Sequence, residues 1–143
     1  MHAASEPTET MMAGQIPLPV PSKMTEPFWA GMRQNKLLLQ RCKTCNAYRW
    51  TPQVLCRDCY SEDYEWSEVS GKGTVFSYTV VHRPPLPAFK APYIVAVIEL
   101  AEGPLMLTNV IDCDPAALKV GDKVKVAFEK ATDEVTLYRF RLA

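Results

Sequence analysis

No sign of charge predominates in this chain: 16 Lys and Arg stand against 16 Asp and Glu. Proteins that grip nucleic acid neutralise phosphates with a basic excess, so the balance argues against general nucleic-acid binding. Long apolar runs are also missing, and none approaches the ~18 residues that a membrane helix needs. The first twenty residues lack the basic stretch followed by an apolar one that marks an export signal, so the chain is read as cytoplasmic and off the membrane. Histidine is scarce, with two residues, and glycine nearly so, with six. Neither a glycine-rich phosphate loop nor a Ser/His/Asp constellation stands out. Apolar side chains nevertheless make up 48% of the 143 residues, which is enough for a core.

What the chain does have is cysteine in a pattern. Cys42-Lys-Thr-Cys45 and Cys56-Arg-Asp-Cys59 are two CxxC pairs with ten residues between them. Each pair aims two sulfurs at one point, and together they supply the four thiolates of a tetrahedral Zn2+ site, one ion per chain. Four cysteines close the coordination shell, whereas a catalytic zinc keeps a position open for water or substrate. The zinc is therefore read as structural. Two disulfides would need an oxidising compartment, which the missing export signal disfavours. Iron in an electron-transfer site is the other alternative, because an S4 tetrahedron holds either metal. From Arg33 to Arg57 the chain carries Arg33, Lys36, Arg41, Lys43, Arg49 and Arg57 and no acid. These cations suit the negative charge of a four-thiolate cluster, and a phosphate-facing surface is the alternative.

Twelve prolines punctuate the rest. Residues 1–23 read as a flexible or extended leader, broken by Pro7, Pro17, Pro19 and Pro21. Residues 24–62 read as a helix capped by Thr25, with Pro27 in its first turn, running into a metal ribbon whose strands are Leu37–Arg41 and Tyr48–Trp50. From 63 to 143 the pattern is all-β. It comprises Tyr64–Val69, a turn or bulge at Gly71–Gly73, Thr74–His82, a buried strand Tyr93–Leu100, Leu105–Ile111, one helical turn at Asp114–Leu118, Lys123–Phe128 and Thr136–Phe140. Five or six short strands with a glycine bend in the first long one fit a Greek-key barrel of the OB type. The expected fold is mainly β: an N-terminal helix, a zinc ribbon, then the barrel.

This order resembles the zinc-ribbon, acyl-CoA-associated OB-fold proteins, a family named as a domain of unknown function. The resemblance rests on Phe28-Trp29, Leu37-Leu-Leu-Gln-Arg-Cys42, both CxxC pairs, Gly71-Lys-Gly-Thr-Val75, Tyr78-Thr-Val-Val-His82, Ala91-Pro-Tyr93, Glu99-Leu100, Leu107-Thr-Asn109 and Val120-Gly-Asp122. It covers about residues 25 to 143 and implies a rubredoxin-like ribbon with structural zinc. It also implies an accessory subunit in a hetero-oligomer, beside a thiolase-like or hydratase subunit acting on acyl-CoA. Such partners include acyltransferases, thiolase or synthase assemblies and steroid side-chain retro-aldolases, whose acyl-CoA channel the accessory chain completes.

Apart from the four cysteines, the candidate contact residues for a partner or acyl-CoA are Phe28, Trp29, His82, Arg83, Leu86, Phe89 and Lys90. The last five precede or lie in a proline-dense loop, which is stiff and loses little entropy on docking. Nothing at a readable spacing equips His82 as a general base. Cys113, between Asp112 and Asp114, reads as a structural or incidental thiol, since both carboxylates oppose its ionisation. Trp29, Trp50, Trp66, Tyr78 and Tyr93 would serve to stack bases on an OB face if the chain were instead a single-strand-binding module. Core packing is the competing use for them. No catalytic residue is assigned.

Overall fold

The computed structural model describes residues 16–143. Most of the expected leader, residues 1–15, lies outside that range. Helix α1 spans Glu26–Arg33, with Pro27 in its first turn, where the amide has no helical partner to lose. The expected Thr25 cap is not made. The Thr25 hydroxyl instead accepts the Ser22 N–H (2.8 Å), and the Ser22 carbonyl accepts the N–H groups of Thr25 and Glu26 (3.1 and 2.8 Å). A preceding turn thus closes the helix start. Arg33 reaches back to Glu26 (2.8 Å) and donates to the Glu134 carbonyl (3.3 Å). Phe28 and Met32, one helical turn apart, are buried.

Strands β1 (Leu38–Cys42), β2 (Tyr48–Arg49) and β3 (Tyr64–Glu68) form a sheet in the order β2-β1-β3. The expected division at residue 63 gives the third of these strands to the barrel. It pairs instead along the whole of β1, from Leu38↔Glu68 to Cys42↔Tyr64. A two-residue β2 cannot protect β1 alone, and β3 supplies the missing hydrogen bonds. Within this sheet Gln40 is fully buried. Its Oε1 accepts from Arg49 Nε (2.7 Å) and Gln53 N (2.8 Å). Arg49 in turn lies over the Tyr64 ring, 5.1 Å from its centroid.

The barrel follows, from β4 (Lys72–Val81), β5 (Tyr93–Leu100), β6 (Leu105–Val110), β7 (Lys123–Lys130) and β8 (Thr136–Leu142). It closes in the order β4-β5-β6-β8-β7, the β6–β8 contact being one parallel pair, Val110↔Phe140. Val75, Ile94, Ala96, Ile98, Met106 and Phe140 fill its interior. The expected glycine bend is at Gly71, which has φ +73°; a separate bulge follows, where the β4–β5 register shifts between Val75 and Ser77 and leaves Phe76 as the extra residue. Asp114–Leu118 is a turn in which the Asp114 carboxylate accepts the Ala116 N–H (3.0 Å), with no helix assigned. The expected buried strand β5 is buried on one face: Ile94, Ala96, Ile98 and Leu100 are buried, while Tyr93, Val95 and Val97 are half-exposed and Glu99 is exposed.

Gly71 links the two sheets at φ +73°, and a Cβ there would overlap Cγ1 of Val126. Gly71→Ala is expected to cost about 1–3 kcal/mol, from left-handed strain and overpacking together. A urea melt of the purified variant checks it, and an unchanged midpoint would refute the steric account. The two sheets share one core, which runs from Phe28, Met32 and Leu39 to Ile98 and Phe140. An aromatic chain spans the joint. Phe28 meets Trp29 (5.1 Å) and Tyr138 (5.8 Å), and Tyr138 meets Trp50 (6.5 Å), each edge to face.

Candidate metal centre and its surroundings

Two near-identical turns build the centre. The N–H of Asn46 returns to the Cys42 carbonyl and that of Tyr60 to the Cys56 carbonyl, each at 2.9 Å. Cys42 N donates to Ala47 O, and Cys56 N to Ser61 O, again at 2.9 Å. Both closing residues take the left-handed conformation, Asn46 at φ 64° and Tyr60 at φ 60°. Asparagine tolerates that region, whereas tyrosine adopts it only where the surroundings impose it. Thr44 Oγ1 donates to Ser61 Oγ (2.9 Å) and joins the two turns.

The four sulfurs lie within 4.8 Å of one another. Cys42 and Cys59 are 3.5 Å apart and Cys45 and Cys56 3.6 Å. Both distances are far beyond the ~2.05 Å of a disulfide. Tetrahedral sulfurs on ~2.3 Å metal bonds sit about 3.8 Å apart, so the set has the size of a metal cage. Its electrostatics agree. The Cys42 thiol is drawn down to about 6, chiefly by the backbone N–H of Cys45, with help from that of Thr44. The N–H groups of Cys59 and Asp58 lower Cys56 in the same way. At Cys45 and Cys59 the N–H groups of Ala47 and Ser61 pull downward too. Desolvation and the sulfurs of Cys42 and Cys56 outweigh them: Cys45 is pushed up to about 12, and Cys59 is raised. Two thiols therefore ionise readily, and the other two need added positive charge. A cation at the centre supplies it. With four sulfur ligands no position remains for a substrate.

The sequence-predicted contact residues do not converge. Phe28 is 5% exposed; its ring is used against Trp29 and Tyr138, which corrects its assignment as a contact residue. Trp29 is half-buried beside it. His82, Arg83 and Lys90 are exposed in the loop between β4 and β5, where Leu86 and Phe89 are half-buried. Phe89 packs on Tyr93 at 5.9 Å. Cys113 is half-buried, and burial first, then Asp114, Asp122 and Asp112, raises its thiol. Trp29, Trp50, Trp66 and Tyr78 pack against the core, and Tyr78 donates to the Leu118 carbonyl (2.8 Å). Sequence reasoning missed the Gln40–Arg49–Gln53 network that holds the segment between the CxxC pairs. A glutamine inside an apolar run beside the first pair was the available signal.

Comparison with known proteins agrees with this architecture. The model of the ChsH2 rubredoxin-like zinc ribbon domain matches residues 29–65, and that of the ChsH2 C-terminal OB-fold domain matches residues 66–129. A probable enoyl-CoA hydratase alpha subunit of Thermomonospora curvata is 36% identical over 139 residues, 97% of this chain. The chain spans 44% of that relative's length. A DUF35 domain-containing scaffold protein of Methanothermobacter thermautotrophicus is 35% identical over 97 residues, 66% of this chain and 72% of the relative. Among solved structures, one described as the Ltp2-ChsH2(DUF35) aldolase superposes with a TM-score of 0.79 at 36% identity, covering 87% of this chain and 98% of that one. With its cysteine cage, three-stranded ribbon and five-stranded barrel in the same order, this chain belongs to the ChsH2/DUF35 family of zinc-ribbon and OB-fold proteins.

Proposed function

We propose that this chain is a non-catalytic accessory subunit that binds and stabilises a thiolase-like acyl-CoA enzyme, either an acyltransferase, a thiolase or synthase, or a steroid side-chain retro-aldolase. The observation that carries the reading is the closed sulfur cage, which offers architecture and no reactive position. The names of the relatives support a partner: one is an alpha subunit of a hydratase, one a scaffold protein, and one a component of an aldolase assembly. The ion is Zn2+, one per chain, held by Cys42, Cys45, Cys56 and Cys59. It contributes fixed geometry to the ribbon and no chemistry to the substrate. Reduced thiolates of this kind persist in the cytoplasm. The partner supplies the catalytic groups. Trp29, His82, Arg83, Leu86, Phe89 and Lys90 are assigned to contacts with the partner or with acyl-CoA at the interface.

Assaying the purified chain alone, the thiolase-like subunit alone, and the two co-expressed tests this reading. The chain alone is expected to turn over no acyl-CoA, and the co-expressed pair is expected to be active and to purify as a hetero-oligomer. Turnover by the chain alone, or a partner equally active and soluble without it, would overturn the proposal.

A further inference from the structure

We propose that the outer wall made by β4, β5 and β6 is the seat of the partner subunit, and that the partner meets it with an aliphatic surface that carries charge only at its two ends. The inference rests on the accessory reading above and specifies the surface and the chemistry of its occupant. It starts from β5. Ile94, Ala96 and Ile98 fill the barrel, while Tyr93, Val95 and Val97 alternate with them on the outside. Antiparallel strands with one wet face alternate apolar with polar residues; this one is apolar on both faces from Tyr93 to Ile98, and only Glu99 breaks the pattern. The register extends the pattern sideways. Val97 lies between Ser77 and Leu107, Val95 between Thr79 and Asn109, and Tyr93 beside Val81. Leu105 is 45% and Leu107 49% exposed, and the bulge turns out Phe76, which is 52% exposed.

The contrast with the far side of the barrel gives the wall its meaning. On β4, β7 and β8 the register sets Lys72 opposite Lys125 and Lys125 opposite Arg141, with Lys123, Arg139 and Glu129 on the same face. Like charges set opposite one another are unfavourable unless water solvates them, so that side is built to stay wet. Covering the middle of the β4–β6 wall sheds little charged hydration, because its charges, Glu99, Lys90 and Arg139, stand at its rim. Its hollows also join. Val95 and Leu107 line two of them, and Tyr93 and Asn109 line the second together with a third that reaches Phe89 and Lys90. The hollows thus follow one another from Leu107 towards the stiff proline-rich loop, with Arg139 of β8 along their edge. Lys90 stands at one end and Glu99 at the other, which calls for an acid and a base at the matching ends of the partner's patch and fixes one orientation.

The experiment uses the full chain and the source organism's thiolase-like subunit, purified separately, with the dissociation constant read by calorimetry. Leu107→Glu and Leu105→Glu change half-exposed side chains, so the isolated variants are expected to keep the parent's melting temperature. Each is expected to weaken binding on the order of tenfold or more, whereas Lys125→Glu on the opposite wall leaves binding within about twofold. Parent-like binding by both leucine variants overturns the wall assignment and leaves the accessory reading standing. No binding by the parent chain overturns the accessory reading itself. A dimer of the isolated chain that Leu107→Glu dissolves would show that a second copy occupies the wall, which also overturns the assignment to a partner.

Discussion

Cys56→Ser is expected to abolish stoichiometric metal binding and to unfold the ribbon while leaving the barrel strands paired. The reason lies in what the ribbon has without its metal. Its strands are five, two and five residues long, too short to hold a sheet in water by themselves. Both knuckle turns spend conformational energy on left-handed Asn46 and Tyr60. Four thiols packed within 4.8 Å repel as they ionise and strand buried polar sulfur if they do not. The ion resolves each of these costs, and structural zinc contributes on the order of 10 kcal/mol in small ribbons. Removing one sulfur forfeits most of that contribution and leaves three thiols without their cation. Metal analysis should fall from one Zn2+ per chain to near zero. Amide exchange should rise across residues 38–68 and change little across β4–β8. Acid should do the same to the parent chain, because protons compete with the metal for thiolates. A ribbon that kept its protection in metal-free Cys56→Ser would refute the structural role.

The metal centre was legible because its chemistry is local: two short motifs fix four ligands, whatever the remainder of the chain does. The barrel was legible for a similar reason, since five runs of β-branched and aromatic residues separated by turn residues leave few architectures open. What the sequence concealed is pairing across distance. Tyr64–Glu68 alternates like a barrel strand, and nothing within it says that its partner is Leu38–Cys42, more than twenty residues upstream. Phe28 beside Trp29 reads as an exposed aromatic pair until Tyr138, over a hundred residues later, arrives to cover it. Thr25 has the right chemistry for a cap, but its hydroxyl is taken by the Ser22 N–H three residues earlier and its own backbone is already helical. The apolar run of β5 reads as a buried strand, whereas its outer residues Tyr93, Val95 and Val97 are half-exposed and Glu99 is exposed. That departure from pattern became visible only once the register showed which side faces out.

Phe28→Ala is expected to cost about 3–5 kcal/mol, the range for emptying a buried aromatic site, and to separate the melting of ribbon and barrel. Phe28 is where helix, ribbon and barrel meet. Its ring sits edge-on to Trp29 and Tyr138, and Tyr138 on β8 carries the contact on to Trp50, just beyond β2. Each edge-to-face pair adds about 0.5–1.5 kcal/mol beyond the area it buries, so one truncation removes two pairs and exposes a third. The polar ties between the sheets include the Gly71 link, whose carbonyl accepts the Val126 N–H (2.8 Å), the exposed Ser70 to Glu102 hydrogen bonds, and an exposed ion pair with its neighbour, Arg33 to Glu26 and to the Glu134 carbonyl. Exposed pairs of that kind contribute little. Tyr138 gives an independent reading of the same joint. Burial pushes its phenol up to about 12, above the ~10 of an unfolded tyrosine. The stability this contributes is therefore fully present below pH ~10 and lost as the pH rises through about 12. In Phe28→Ala the phenol should titrate closer to its ordinary value, because the ring that covers it is gone. Calorimetry that shows one undivided transition, shifted by less than about 1 kcal/mol, together with an unmoved Tyr138 titration, would mean that the joint is held elsewhere.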